Sequence, residues 1–195
     1  EYFNSALKRL GMQVYPDLIK GVRGTSNKKH TPENFMKGIL RAKHEVYVNK
    51  DGTTRYDMTQ LPITHFKPKE VGTSIERLKE FGYSLDVQGR ELISDDQLLE
   101  ILPQDIILPS CVDAPELGAD DIFYKVASFI DDLLEKMYGL EPYYRLNSKH
   151  DLAGELFLIL APHTSAGIVG RLIGFSKTQC FYAHPMLHAA TRRDC

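Results

Sequence analysis

The strongest periodic signal in the chain is one amphipathic stripe. Between Ala119 and Tyr138, the residues Ile122, Val126, Phe129, Ile130, Leu133, Leu134 and Met137 fall on one face of a helix. Asp120 and Asp121 at its start suit the macrodipole, and Gly139 is its natural stop. Such a stripe needs an apolar partner surface, so the fold must supply one. After a polar joint at Asn147–Asp151 the texture changes. Residues 152–195 are rich in Gly, His and small side chains, and Leu156–Leu160 reads as a buried strand. Thr164–Phe175 stays open between helix and strand. Gly167, Gly170 and Gly174 weaken a helix, whereas Ile168, Leu172 and Ile173 fit one. This contrast predicts an α+β fold with a boundary near Lys149, dividing the chain into 1–149 and 150–195.

Upstream, Phe3, Ala6, Leu7 and Leu10 mark a helix over residues 1–10, stopped by Gly11. Thr31 as N-cap with Pro32 at the first position predicts a helix running to about Lys43. Residues 45–56 read as a β-hairpin around Asp51-Gly52, and 61–66 as a further strand. Thr73-Ser74-Ile75-Glu76 predicts a capping box and a short helix ending at Phe81-Gly82. Gln88-Gly89 reads as a turn, and Leu98–Leu108 as strand broken by Pro103.

With 195 residues, 43% of them apolar, the chain is long enough for a substantial core. No apolar run approaches 18 residues, so no membrane-spanning helix is expected. The first residues, Glu1-Tyr2-Phe3-Asn4, form no leader, and the missing Met suggests a start inside a longer gene. Cys111, Cys180 and Cys195 make neither a zinc pair nor a disulfide framework. Cys111 and Cys180 read as structural, and a reducing, cytoplasmic setting is expected. Charge is zoned. Residues 1–70 hold 13 Lys/Arg against 7 Asp/Glu, 71–160 hold 7 against 18, and 161–195 hold 4 against 1. Two basic flanks around an acidic middle suit a polyanion, although solvated faces give the same pattern.

Few residues suggest chemistry on their own. Residues 161–167, including His163 and Ser165, form a small, polar turn of the kind that approaches phosphate closely. His184 and His188 are four apart, but Pro185 argues against a regular helix holding both, and no acid lies between Glu155 and Asp194. Zinc is therefore not expected. A triad of Ser165, His184 and Asp194 lacks a nucleophile elbow. The acids of the 119–138 helix read as its solvated face. Arg192 and Arg193 suit phosphate, and Asp194 beside them supplies one carboxylate, fewer than a two-metal site needs.

Two long stretches are distinctive: APHTSAGIVGRLIGF at 161–175 and YAHPMLHAATRRDC at 182–195. With KGVRG at 20–24, KGILRAKH at 37–44, DGT at 51–53, THFKPKE at 64–70 and YGLEPY at 138–143, the chain closely resembles the large catalytic subunit of the archaeal family D DNA polymerase. The resemblance implies that residues 150–195 open a double-psi β-barrel, with residues 1–149 a mixed region leading into it. In that family the second barrel carries Asn, Cys, Asp, Gly, Asp, whose carboxylates hold Mg²⁺. Asp194-Cys195 falls on the first two positions, with Asp in place of the common Asn.

The resemblance also implies roles. Asp194 becomes the catalytic, metal-side residue, and Arg192, Arg193 and His188 become nucleotide or phosphate contacts, with packing as the alternative for His188. Lys20, Arg23, Lys28 and Lys29 become contacts to the DNA backbone. The implied partners are primer–template DNA, deoxynucleoside triphosphates and a small subunit bearing a 3′–5′ exonuclease. The family's zinc sites fall outside this sequence. A fragment lacking further metal ligands is expected to be inactive alone. Cys195 equally fits an intein junction. The competing expectation is a non-catalytic module that binds DNA or the partner subunit.

Overall fold

The computed structural model of the chain describes residues 1–22, 32–160 and 167–191. In chain order the elements are α1 (Tyr2–Arg9), α2 (Phe35–Lys43), β1 (Gln60–Pro62), β2 (His65–Phe66), α3 (Pro68–Val71), α4 (Ile75–Glu80), β3 (Leu99–Glu100), β4 (Asp105–Pro109), α5 (Ala119–Leu133), β5 (Leu156–Leu160), β6 (Gly167–Ser176), β7 (Phe181–Ala183) and α6 (Pro185–Thr191). The fold is α+β with a mixed sheet. Packing divides the chain into two compact units, one of residues 1–56 and 122–147, the other of residues 57–121 and from 148 onward. The last crossing falls beside the Asn147–Asp151 joint, and residues 57–121 pack with the C-terminal segment.

The first unit is helical. Ala6, Leu7 and Leu10 of the α1 region pack with Met36, Ile39 and Leu40 of α2 and with Phe129 of α5. Ile130, Leu133 and Met137 extend the same cluster, so the stripe finds its apolar partner. Gly11, at φ +67°, ends α1. α2 starts later than the Thr31-Pro32 signal suggests. Thr31 lies outside the described residues, and the cap is Asn34, whose Oδ1 accepts from Met36 N at 2.9 Å. Glu33 is drawn elsewhere: it accepts from Val22 N at 3.0 Å and pairs with buried Arg41.

α5 runs into a π-helical turn at Leu134–Tyr138 that stops at Gly139, φ +65°. Glu135 is solvated as expected, but Asp131 and Asp132 are not. Asp131 accepts from the backbone N–H groups of Tyr143, Tyr144 and Arg145 at 2.8–2.9 Å, clasping the following loop. Asp132 takes Lys43, His44 and Lys136. Burial opposes its ionisation, but those hydrogen bonds prevail and hold its carboxyl well below the usual range. The expected hairpin at 45–56 is a turn without strands. Asn49 N donates to Thr53 O at 2.9 Å, but Asp51 Oδ1 takes Thr53 N at 3.0 Å and the ladder goes no further.

The second unit is built on a five-stranded sheet of order β1-β7-β4-β6-β5 and a small antiparallel pair, β2-β3. β1·β7 and β4·β6 are parallel, while β4·β7 and β5·β6 are antiparallel. The core joins Phe66, Val71, Leu78, Tyr83, Leu92, Leu99, Ile107 and Ile173. Thr164–Phe175 resolves as strand from Gly167 onward. Leu156–Leu160 is a strand but not a buried one. β5 is an edge strand, and Leu156 and Leu158 are 68% and 66% exposed. The expected capping box of Thr73 with Glu76 does not form: the N-cap is Ser74, whose Oγ accepts from Arg77 N at 3.2 Å, and with Arg77 at that position no side chain reaches back. Thr73 instead donates to Ile173 O at 2.6 Å.

That bond sits beside a bulge in the β4·β6 register between Ile106 and Ile107. At Gly174 a Cβ would stand 2.4 Å from Val71 O and 2.6 Å from Thr73 Oγ1, so no larger residue fits without moving α3.

An ion pair between a buried carboxylate and a half-buried arginine ties the parallel strands together. Asp105 opens β4 with no exposed surface, and Arg171 faces it from β6. Arg171 Nε donates to Asp105 Oδ1 at 2.8 Å and Nη2 to Oδ2 at 2.9 Å, a bidentate fork. Nη2 also meets Phe81 O at 2.9 Å. Tyr83 donates its hydroxyl to Asp105 at 2.5 Å, and burial, with that hydrogen bond and Asp105's charge, pushes the phenol's pKa up. Removing one partner of such a pair strands the other charge. Arg171→Met is therefore expected to lower stability by about 3–5 kcal/mol, read by chemical denaturation. Adding Asp105→Asn should recover part of that loss. A single-variant loss below about 1 kcal/mol, the scale of an exposed pair, would show that the pair is dispensable.

Candidate functional site

The sequence points to the C-terminal end of the second unit, and the fold delivers the chain there along β7 and α6. β7 pairs on one side with β1 in parallel, Gln60 opposite Phe181 and Pro62 opposite Ala183. On the other side it meets β4, with Ile106 opposite Ala183. The chain then turns at His184. Pro185 does not prevent a helix but begins one, at the position where its missing N–H costs nothing. His184 stands just outside that helix, and its Nδ1 accepts from Met186 N at 3.1 Å. His184 and His188 thus do not share a helix face.

α6 is fastened to β1 by one side chain. Gln60 is fully buried. Its Oε1 lies 3.0 Å from His188 Nδ1 and 2.7 Å from Thr191 Oγ1. Thr191 Oγ1 is also 3.0 Å from Leu187 O, one turn back. With Oε1 as the acceptor, His188 Nδ1 is the donor of this contact. Leu187 is buried beneath the helix. Gln60 therefore sets where α6 points.

Of the residues given roles by the resemblance, His188 and Lys20 are described. Lys20 is exposed, but its Nζ donates to Val48 O, which commits part of its ammonium within the first unit. Arg23, Lys28, Lys29, His163, Ser165, Arg192, Arg193, Asp194 and Cys195 lie outside the described residues. Cys111 is buried and Cys180 half-buried, as structural residues are. Sequence reading passed over Gln60, Asp105 and Arg171. For the last two a signal exists: an acid and an arginine each set inside an apolar run, where lone charges are not tolerated. For Gln60 there is none, because a glutamine opening a three-residue strand is unremarkable.

Among the described residues no three His, Cys, Asp or Glu side chains gather as metal ligands. The sequence has no acid between Glu155 and Asp194. Asp194 itself lies outside the described residues. Among the described residues no helix is long and apolar enough to cross a membrane.

If Gln60 anchors α6, Gln60→Ala removes the acceptor facing His188 and leaves Thr191 with Leu187 O. The expected loss is about 1–3 kcal/mol, together with faster proteolysis after Leu187. Unchanged protease sensitivity would show that α6 is held by Leu187 packing alone.

Comparison with known proteins adds what geometry does not. The family model described as DNA polymerase II large subunit DP2, catalytic domain, matches residues 12–195. The DNA polymerase II large subunit of Archaeoglobus fulgidus is 52% identical over the whole chain, that of Nanoarchaeum equitans 48%, and that of Pyrococcus abyssi 51%. The chain spans 16%, 16% and 13% of those three proteins. Matched over nearly its full length by the family's model and by these relatives, the chain belongs to the DNA polymerase II large subunit family, within its catalytic domain.

Proposed function

We propose that the chain forms part of the DNA-synthesising subunit of an archaeal replicative polymerase. The observation that carries this is the unbroken likeness, about half of all positions, to proteins named DNA polymerase II large subunit. The reaction is template-directed transfer of a deoxynucleotidyl group from its triphosphate to a primer 3′-hydroxyl, with pyrophosphate leaving. Primer–template DNA and the four triphosphates are the substrates, a small subunit with 3′–5′ exonuclease activity is the partner, and the cytoplasm is the setting.

In this reading residues 150–195 open a double-psi β-barrel. The alternation of parallel pairs, β1·β7 and β4·β6, around the antiparallel β4·β7 pair supports it. Residues 1–149 precede that barrel. α6 then acts as a pointer that carries Arg192, Arg193 and Asp194 toward the reacting groups. The two guanidinium groups neutralise the triphosphate, whose charge a planar fork matches. His188, held through Nδ1, offers Nε2 to the nucleotide. Asp194 is one ligand of magnesium, and the remaining ligands come from other parts of the subunit, so residues 1–195 alone do not catalyse incorporation. Lys20, Arg23, Lys28 and Lys29 contribute salt-sensitive, sequence-blind contacts to the DNA backbone.

Primer extension by the full-length polypeptide with Arg192→Ala and Arg193→Ala tests the assignment. Turnover is expected to fall by about 10²–10³-fold while primer–template affinity stays within about twofold of wild type, a change below 0.5 kcal/mol. Weaker DNA binding with unchanged turnover would instead make this a binding module.

A further inference from the structure

The surface of the second unit carries a groove of about 570 Å³ between the α3–α4 junction and the loop that precedes β3. Gly72, Ser74 and Glu76 line it from one side, and Ile93 and Asp95 from the other. All five are exposed, so the groove lies open along the surface and suits a length of chain better than an enclosed small molecule.

Its loop side is held in place by hydrogen bonds. Gln97 Oε1 accepts from Ile93 N at 2.7 Å and from Ser94 N at 2.8 Å. Gln97 Nε2 donates to Glu91 O at 2.9 Å and to the buried Asp86 carboxylate at 3.1 Å. Lys69 N donates to Asp95 O at 3.2 Å and so ties the loop to α3. Within this fastened loop Leu92 has no exposed surface, whereas its neighbour Ile93 is 75% exposed. The backbone thus holds an isoleucine outward, and covering such a side chain is worth about 1.5–3 kcal/mol.

Charge narrows what can cover it. The one cation of the lining, Lys69, pairs with Asp96, so Glu76 and Asp95 are left without an ion-pair partner among the described residues. The whole stretch from α3 to β3 has the same balance. Residues 68–100 hold four Lys/Arg against eight Asp/Glu. All four cations are already taken: Lys69 by Asp96, Arg77 by Glu80, Lys79 by Glu91 and Arg90 by Asp86. A DNA backbone is repelled by such a surface. A segment with a lysine or arginine next to an apolar side chain is complementary to it.

One exposed isoleucine between two carboxylates is far less than a separate protein needs for a stable interface. A segment of the same polypeptide needs no such area, because its tether supplies a high effective concentration. The chain spans only 13–16% of the relatives compared above, so a polypeptide of this family has much sequence from which that segment can come. We propose that the groove docks a cationic segment of the same polypeptide from outside residues 1–195, its apolar side chain on Ile93 and its lysine or arginine between Glu76 and Asp95. The proposal rests on family membership and on none of the roles given to His188 or the residues after Thr191.

Photo-crosslinking tests it. Ile93 is replaced by benzoylphenylalanine in the full-length polypeptide, which is irradiated and mapped by mass spectrometry with and without primer–template DNA. Adducts are expected within one molecule, to a segment outside residues 1–195 that carries a lysine or arginine beside the adduct. Combining Glu76→Lys with Asp95→Lys should lower their yield about tenfold, because like charges then face each other. High salt should lower it as well. Glu141→Lys, in the first unit, should leave it unchanged. No adducts, adducts only within residues 1–195, to a second molecule or to DNA, or a yield that the two charge reversals do not reduce, would each overturn the proposal. Primer extension by the Glu76→Lys, Asp95→Lys protein reports separately on the polymerase reading.

Discussion

The fork between half-buried Arg171 and buried Asp105 is the interaction on which the second unit depends. It joins β4 to β6, the two strands at the middle of the sheet, at the point where their register begins. Parallel strands lack a hairpin to fix their alignment, so something else must specify it. A bidentate pair does this well, because its planar geometry tolerates little displacement. The same guanidinium reaches Phe81 O and lies over the Phe81 ring at 5.1 Å, with Arg77 over that ring at 5.0 Å. Arg77 in turn donates to Ala153 O at 3.0 Å. At Gly154, with φ +106°, a Cβ would stand 2.9 Å from the Arg77 guanidinium, so the approach of this turn depends on glycine. One ion pair thus links the sheet centre, α4 and the entry to β5.

The candidate site inherits its position from that frame. β7 lies between β1 and β4, so the alignment of β4 also places the strand that launches α6. Gln60 then converts strand position into helix direction through a single accepting oxygen shared by His188 and Thr191. Thr191 can turn its one hydroxyl proton to Leu187 O instead, so the contact with His188 is the one that depends on the amide.

How much of this was legible in the sequence follows from the range of the forces involved. α1, α4 and α5 announce themselves through local periodicity and caps, and their partners merely accept the stripe. The α2 start was misread because Glu33 answers to Arg41 and Val22, contacts that no local rule reports. Residues 45–56 carry hairpin chemistry, yet Asp51 satisfies the backbone of Thr53 with its own side chain, so the turn forms without strands. β5 looks like a buried strand because Leu156–Leu160 is apolar throughout, and only sheet order reveals that it is an edge. Family membership was legible from long peculiar strings around residues 161–195, and the whole-chain comparison bears it out. The site geometry was not legible, since it depends on a pairing between residues 60 and 188 that have no sequence relation.

The central claim is that α6 leads into a polymerase active centre. The most direct test is template-directed incorporation of a deoxynucleotide by the full-length polypeptide with magnesium, comparing wild type with Asp194→Asn at matched DNA occupancy. If Asp194 is a metal ligand, single-turnover incorporation falls by roughly 10³-fold, and raising the magnesium concentration restores part of it. Incorporation at the wild-type rate and with the wild-type magnesium dependence would contradict the account.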